Sequence, residues 1–395
     1  MPAEFATEVT TLGAPVGASA GDSGVPGSGR LSGTLGTFDI VLMVVAAAAP
    51  LSVTAATIPL MFLVTGSTGV PAYMAVCTLI LLVFSVGFTR MSAYIRNAGA
   101  FYSYVQAGLG RVLGNGTAFL AIGAYFLLLL AVYFLFGIMT ADLFGAFFGL
   151  SVHWAVPTAV CLVATAVLGY LNIDLSAKVL GVFLVLETLV VAVLDVVIIA
   201  RGATYVAPVF NSIMQVLIIT SLFACILAFH NVTAWYLFSL GGTGALPRRL
   251  GRPHAAFGTP SFASAVVSTG SVAVVGAYLL FGLDPLTVGY TWLSGTATLG
   301  LLALIALTSL AVIVFFALRT QDRNPWGTRI APGLALLGMT VILTVVVANF
   351  VDLVGDPVAA VVLPVLLAVL LGAGMVSALV MKARRPAEYA ALLDQ

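Results

Sequence analysis

Residues 46–59 read AAAAPLSVTAATIP: four alanines, a proline, then one serine and two threonines before a second proline. They lie inside the first long apolar run, residues 38–63. Pro50 has no backbone N–H, and its ring clashes with the preceding helical turn. In a lipid interior no water is present to satisfy a freed backbone group. The architecture turns on what happens here. Either a plain helix is kinked, with Ser52, Thr54 and Thr57 bonded back to their own carbonyls, or the helix is broken and its loose polar groups face an interior site.

The setting is a membrane. Of the 395 residues, 62% are hydrophobic and 7% charged, against roughly 25% charged in soluble domains. A span takes about 20 apolar residues, and ten runs suit: 38–63, 70–88, 116–143, 155–171, 179–200, 213–237, 263–281, 288–318, 332–351 and 358–381. They are too long and too evenly apolar for barrel strands of about 10 alternating residues. The chain therefore reads as an all-α integral membrane protein of about ten transmembrane helices. With the N-terminus placed in the cytosol, all of the 15 Lys and Arg except Arg201 fall on the inner side, a strong positive-inside bias. Both termini are then cytosolic. The net charge of +1 gives no indication of a nucleic-acid partner. Residues 1–36, rich in Gly, Ser, Ala and Thr, read as a disordered cytosolic tail, and 385–395 as a second tail behind basic anchors. Cys77, Cys161 and Cys225 have neither disulfide nor zinc spacing and read as buried small residues.

The inner loops carry the motifs. Residues 89–114, TRMSAYIRNAGAFYSYVQAGLGRVLG, are amphipathic and suit a short helix at the inner membrane face. Residues 241–260, GGTGALPRRLGRPHAAFGTP, form a turn-rich cationic connector. Three stretches resemble amino acid permeases of the amino acid–polyamine–organocation superfamily. Residues 35–53, LGTFDIVLMVVAAAAPLSV, resemble its first helix. NAGAFYSYVQAGLGRVLG, 97–114, resembles its inner-loop motif, in which a small-residue pair precedes Tyr-x-Tyr. TSLFACILAFHN, 220–231, with the connector after it, resembles the eighth helix and following loop. The likeness runs from about Leu35 to the C-terminus.

The resemblance implies a five-plus-five inverted-repeat transporter fold with the first helix of each repeat broken at mid-membrane. The permease domain would span 37–384, with a first repeat over about 37–202 and two extra helices over about 330–382. The second repeat, about 211–319, is incomplete: the chain passes from the fifth span to the eighth-like segment within about a dozen residues, with no counterpart of the sixth and seventh helices. Where the family carries a glycine-rich signature in its first helix, this chain has alanines.

Candidate site residues follow. In the broken-helix reading, Ala49, Pro50, Ser52, Val53, Thr54 and Thr57 bind substrate. The outer half-helix then offers N–H groups to a carboxylate and the inner half offers carbonyls to an ammonium. By resemblance, Phe229 occupies the position of an aromatic gate; Tyr125, on the third run, and Trp292, near the outer end of the eighth, are further candidates to face the cavity. Glu187 lies mid-membrane, where a carboxylate costs about 3 kcal/mol. It needs a partner, a cavity or a proton, and the resemblance places it where cationic amino acid permeases carry a coupling lysine. Asp195, about 80° around the same helix, and His230, a group that titrates near neutral pH, complete the proton-coupling candidates. Each also has a plain structural reading as a satisfied buried polar residue. Thr220 and Ser221 would help to form a sodium site in sodium-coupled relatives; with Glu187 present, protons are favoured over sodium. No cofactor is called for, and no enzyme motif, phosphate loop, metalloprotease helix or nucleophile elbow is present.

The expected function is a transporter of amino acids or related amines, proton-coupled, in the cytoplasmic membrane of a bacterium, working by alternating access around the first helix. The alternative is a non-transporting, internally deleted membrane protein derived from a permease. Substrate identity and oligomeric state are not legible in the sequence.

Overall fold

The computed structural model describes residues 45, 48–95, 100–171, 181–182, 185–193, 196, 208–254, 258–318 and 324–391. The expected N-terminal tail, Asp195, the connector at 201–207 and the last four residues lie outside these.

The described residues are helical wherever they are regular, with no strand among them. Helix α1, residues 50–65, comes in three pieces: Pro50–Ser52, a wide π-helical turn Val53–Thr57, and Ile58–Thr65. It is followed by α2 (Val70–Ser92), α3 (Ala100–Leu109), α4 (Arg111–Phe148) and α5 (Ala155–Leu171). Residues 185–193 form α6. Beyond them come α7 (Pro208–Thr243) and α8 (Ser261–Phe281). Next are α9 (Pro285–Leu318) and α10 (Trp326–Ala348), each opening with a π-helical turn. The chain closes with α11 (Phe350–Val354), α12 (Pro357–Arg384) and α13 (Pro386–Ala391).

Seven of these helices are long and apolar enough to cross a membrane: α2, α4, α8, α9, α10, α12 and, within α7, Ile213–Thr243. This is an all-α integral membrane protein. Helix α5 is apolar but has 17 residues, about 25 Å at 1.5 Å per residue. Most of the expected fifth run is represented by α6 alone, and the first run is interrupted. Several helices exceed their apolar runs at the ends. Helix α4 begins five residues before the run at 116, because Gly110, at φ 94°, makes the turn from α3.

Helix α4 is the central column. Buried residues appear on every side of it, including Ala121, Leu129, Tyr133 and Phe134, and α3, α5, α7, α9 and α12 all pack on it. With little hydrophobic drive between helices inside lipid, close van der Waals approach through small residues is what holds such a bundle. One such approach is between α4 and α12. A Cβ on Gly374 would lie 2.7 Å from the backbone oxygen of Asn115 and 2.7 Å from Cα of Gly116. At the same crossing Asn115 Nδ2 donates to the Gly374 carbonyl at 2.7 Å. Helix α2 is peripheral and packs mainly on α10, so most of its surface faces lipid, Leu79 and Leu82 among it.

Two expectations are corrected. Cys161 and Cys225 are buried, but Cys77 is exposed, since α2 buries only one narrow face. The short helix expected between the second and third runs exists as α3, and its buried face, Tyr102, Tyr104 and Val105, packs on α4 and α9. The stretch behind the basic anchors is not a simple tail. Helix α13 folds back so that Tyr389 lies under the Arg111 guanidinium at 5.2 Å and near the Lys382 ammonium at 5.9 Å. Beside it, Glu388 bridges Arg248 at 2.7 Å and Arg385 at 3.4 Å.

At the opposite end, Asp284 caps α9. Its Oδ1 accepts from the N–H groups of Thr287 at 2.6 Å and Leu286 at 3.1 Å, and from the Thr287 hydroxyl at 2.8 Å. The Thr287 backbone N–H, followed by its hydroxyl, holds the carboxyl below its ordinary value of 3.8. A carboxylate with a depressed folded value contributes stability above its unfolded value and loses it as pH falls. Asp284→Ala should therefore destabilise the protein by about 1 kcal/mol at neutral pH. Thermal unfolding at a series of pH values should show that deficit constant down to about pH 5 and closing below 3.8. A pH-independent deficit would exclude the capping account.

Candidate functional site: a broken helix facing a buried carboxyl

The alanine- and proline-rich stretch breaks at Ala49. The residue before a proline is pushed out of the right-handed helical region, and Ala49 adopts φ 46°, ψ 60°, the one non-glycine residue at positive φ among those described. Left-handed backbone costs a non-glycine residue roughly 1–2 kcal/mol. The absence of the glycine signature has therefore not prevented unwinding; an alanine carries the strain. Ala49→Gly should leave thermal stability equal or slightly raised, because relief at Ala49 offsets the greater freedom of an unfolded glycine. Ala49→Val, β-branched at positive φ, should lower it by about 2 kcal/mol. Equal midpoints for the two variants would mean that the backbone at residue 49 is not left-handed.

The hydroxyls divide between two uses. Thr54 Oγ1 donates back to the Pro50 and Leu51 carbonyls at 2.9 and 3.2 Å, and Thr57 Oγ1 to the Ser52 carbonyl at 3.4 Å. These are the back-bonds of the plain structural reading. Ser52 instead donates across to the Ile218 carbonyl of α7 at 3.4 Å. Val53 and Pro50 are half-buried on the same element. Break and back-bonding thus coexist, and the π-helical turn takes up the mismatch between them.

Glu187 meets the break from α6. It is 1% exposed. Its Oε2 accepts from the Ser221 hydroxyl of α7 at 2.7 Å, and the backbone N–H of Leu51, in the first turn after the break, is directed at the carboxyl group. Oε1 is buried with no hydrogen-bond partner among the described residues. The N–H end of the outer half-helix therefore faces a carboxyl group of the protein itself. Cys225, one turn beyond Ser221 on α7, lies next to it, and the Tyr290 hydroxyl of α9 reaches Thr57. The site thus draws on α1, α6, α7 and the π-helical turn of α9.

The remaining candidates fall elsewhere. Phe229, Tyr125, Tyr236 and Tyr102 form an aromatic column between α7, α4 and α3, with ring centroids 6.1, 5.6 and 5.9 Å apart in that order. Tyr102 closes it with a 2.7 Å hydrogen bond to Ser239. His230 is fully buried between helices, its Nε2 2.9 Å from Ser264 of α8 and close against Gly169 of α5. It is nine residues beyond Ser221, about 13 Å along α7, so it is not part of the Glu187 group. Trp292 donates from Nε1 to the Val354 carbonyl of α11 at 2.7 Å, a packing role. Thr220 donates to the Leu217 carbonyl of its own helix at 2.8 Å. Asp195 lies outside the described residues.

Sequence reasoning misses Leu51 and Tyr290 as members of the site. Leu51 takes part through its backbone, which residue type does not report, and Tyr290 is one aromatic in an apolar run. Ser221 is legible as a candidate, but for a cation site rather than as the donor to Glu187. Among the described residues no group of three or more His, Cys, Asp or Glu side chains is gathered to hold a metal ion. No protein-family model matches the chain, and no curated protein matches it either.

Proposed function

We propose that the chain is a secondary transporter of amino acids or related amines, proton-coupled, of the amino acid–polyamine–organocation type. In this reading α1 is the first helix of an inverted-repeat bundle of about ten spans, set in a bacterial cytoplasmic membrane with both termini in the cytosol. The observation that carries it is the break at Ala49 with the Glu187 carboxyl against it, one oxygen held by Ser221 and the other without a hydrogen-bond partner among the described residues. An intramembrane carboxyl held this way is costly as a structural element and useful as a proton carrier. Protonation of Glu187 would release the Leu51 N–H and the Ser221 hydroxyl for a substrate carboxylate. An ionised Glu187 would offer Oε1 to a substrate ammonium. Substrate and proton would thus contend for the same groups, which is the differential interaction that coupling requires. Protons are favoured over sodium because Ser221 donates to Glu187.

A second reading is favoured by one observation. Helix α1 packs chiefly on α7, while Val45, Met61 and Phe62 stay exposed. That is the face a sixth helix would cover, and a site open to lipid there would not hold a polar substrate. The chain would then be a non-transporting relative of permeases. Uptake of radiolabelled amino acids and amines into proteoliposomes, with and without an inward proton gradient, separates the two. Saturable uptake that rises with the gradient supports transport. Leak-level uptake for every substrate supports the second reading.

A further inference from the structure

Helices α5 and α8 enclose a groove of about 410 Å³ on the outer surface of the bundle, lined by Ala166, Val167, Tyr170, Ala265, Ser268 and Thr269. The volume falls in the range of pockets that hold ligands. Neighbouring side chains on the same surface, Val163, Phe262 and Val266, are exposed and apolar, so the groove opens to lipid. Ala166, Val167 and Ala265 make half of its lining, and the small alanines leave a channel between helices whose neighbouring surface residues are bulkier. Ser268 Oγ is shielded and has no hydrogen-bond partner among the described residues, whereas the Thr269 hydroxyl is spent on the Ala265 carbonyl at 2.8 Å.

The groove is polar at one end. Tyr170 stands at the last turn of α5, its hydroxyl 3.5 Å from Nε2 of His254. Its carbonyl accepts from the hydroxyls of Thr259 and Ser261 at 3.4 and 3.3 Å, which ties the α7–α8 connector to the mouth of the groove. That connector also carries Arg249 and Arg252, both exposed and neither in an ion pair among the described residues. A mainly apolar slot whose polar end meets a connector carrying two exposed arginines is complementary to a molecule with a long apolar chain and a phosphate. In a bilayer that molecule is already at hand.

We propose that the α5–α8 groove binds an anionic glycerophospholipid, one acyl chain lying along Ala166, Val167 and Ala265 and the phosphate resting against the Tyr170 hydroxyl and the Arg249–Arg252 connector. A free phosphate would lack the chain that the groove accommodates. A zwitterionic lipid would supply the chain, but its ammonium would offset the attraction to the arginines.

Native mass spectrometry of the purified chain, given equal amounts of dioleoyl phosphatidylglycerol and dioleoyl phosphatidylcholine, tests this. Wild type should retain the phosphatidylglycerol with at least about a fivefold preference, the fold-change one basic residue near a headgroup supplies. The double variant Arg249→Gln with Arg252→Gln should retain both lipids about equally. Ala265→Trp fills the groove from an exposed position and should lose the bound lipid. Val341→Trp, at a residue of α10 that is 54% exposed, should behave as wild type. Equal retention of both lipids by wild type would overturn the proposal, as would undiminished retention by Ala265→Trp or equal loss in Val341→Trp.

Discussion

Glu187→Gln should abolish the response of uptake to an inward proton gradient while leaving the protein folded. Glutamine keeps the size of the side chain and can still accept the Ser221 hydrogen bond that Glu187 Oε2 accepts at 2.7 Å. It cannot take up or release a proton. If coupling runs through Glu187, gradient-driven uptake should fall by roughly tenfold, within the range of coupling free energies of about 1–3 kcal/mol. Counterflow exchange of substrate at equal pH should survive. Ser221→Ala separates this from a structural role. It strips Glu187 of its one side-chain donor, so it should lower thermal stability by about 1–3 kcal/mol and shift the pH at which uptake is half-maximal without flattening the profile. A Glu187→Gln protein with wild-type pH dependence would sink the coupling role.

The second large effect is on stability. Gly374→Ala should destabilise the bundle by about 3 kcal/mol, combining overpacking with loss of a buried hydrogen bond. A methyl group there would meet the Asn115 carbonyl oxygen and the Gly116 Cα, each at 2.7 Å. Both are backbone atoms that no rotamer change can move. Helix α12 would have to retreat from α4 and would break the 2.7 Å bond from Asn115 Nδ2 to the Gly374 carbonyl. Against a total stability typically of about 5–15 kcal/mol, that loss should be plain in the midpoint of thermal unfolding in detergent. A methyl group on Gly372, on the same helix, would meet nothing within 4 Å. Gly372→Ala should therefore be neutral or stabilising by up to about 1 kcal/mol, the helix-propensity gain. Equal midpoints for the two variants would show that α4 and α12 cross more loosely than these contacts require.

How much the sequence discloses follows from the physics of each feature. Apolar runs report contact with lipid or core, so they locate the long helices. They do not report helix ends: α4 starts at a glycine turn that hydropathy passes over, and α10 starts at Trp326 rather than at 332 because a polar π-helical turn precedes its apolar part. The break at Ala49 is legible because Pro50 constrains the residue before it. That an alanine would bear the left-handed conformation is not, since alanine is a good helix former. Glu187 is legible as a costly group in the wrong medium. Its bond to Ser221, 34 residues away, depends on how α6 meets α7, which no local pattern specifies. The docking of α13 is hidden for the same reason. It rests on Arg111 and Lys382 arriving together at Tyr389, and a six-residue helix has no periodicity to announce it.

Helix α4 has 38 residues, about 57 Å at 1.5 Å per residue, nearly twice the roughly 30 Å of hydrocarbon it crosses. It therefore extends well beyond the hydrocarbon. Its lower end is held at Arg111 by Tyr389, and its upper half contributes Leu129 and Phe134 to the cluster that includes Ala49 and Cys161. A rotation of about 5° about its midpoint would carry each end through about 2.5 Å. That is enough to unseat a cation from an aromatic ring at one surface while shifting the wall of the broken helix at the other. One continuous helix thus joins the Arg111–Tyr389 contact at one end to the cluster beside the broken helix at the other.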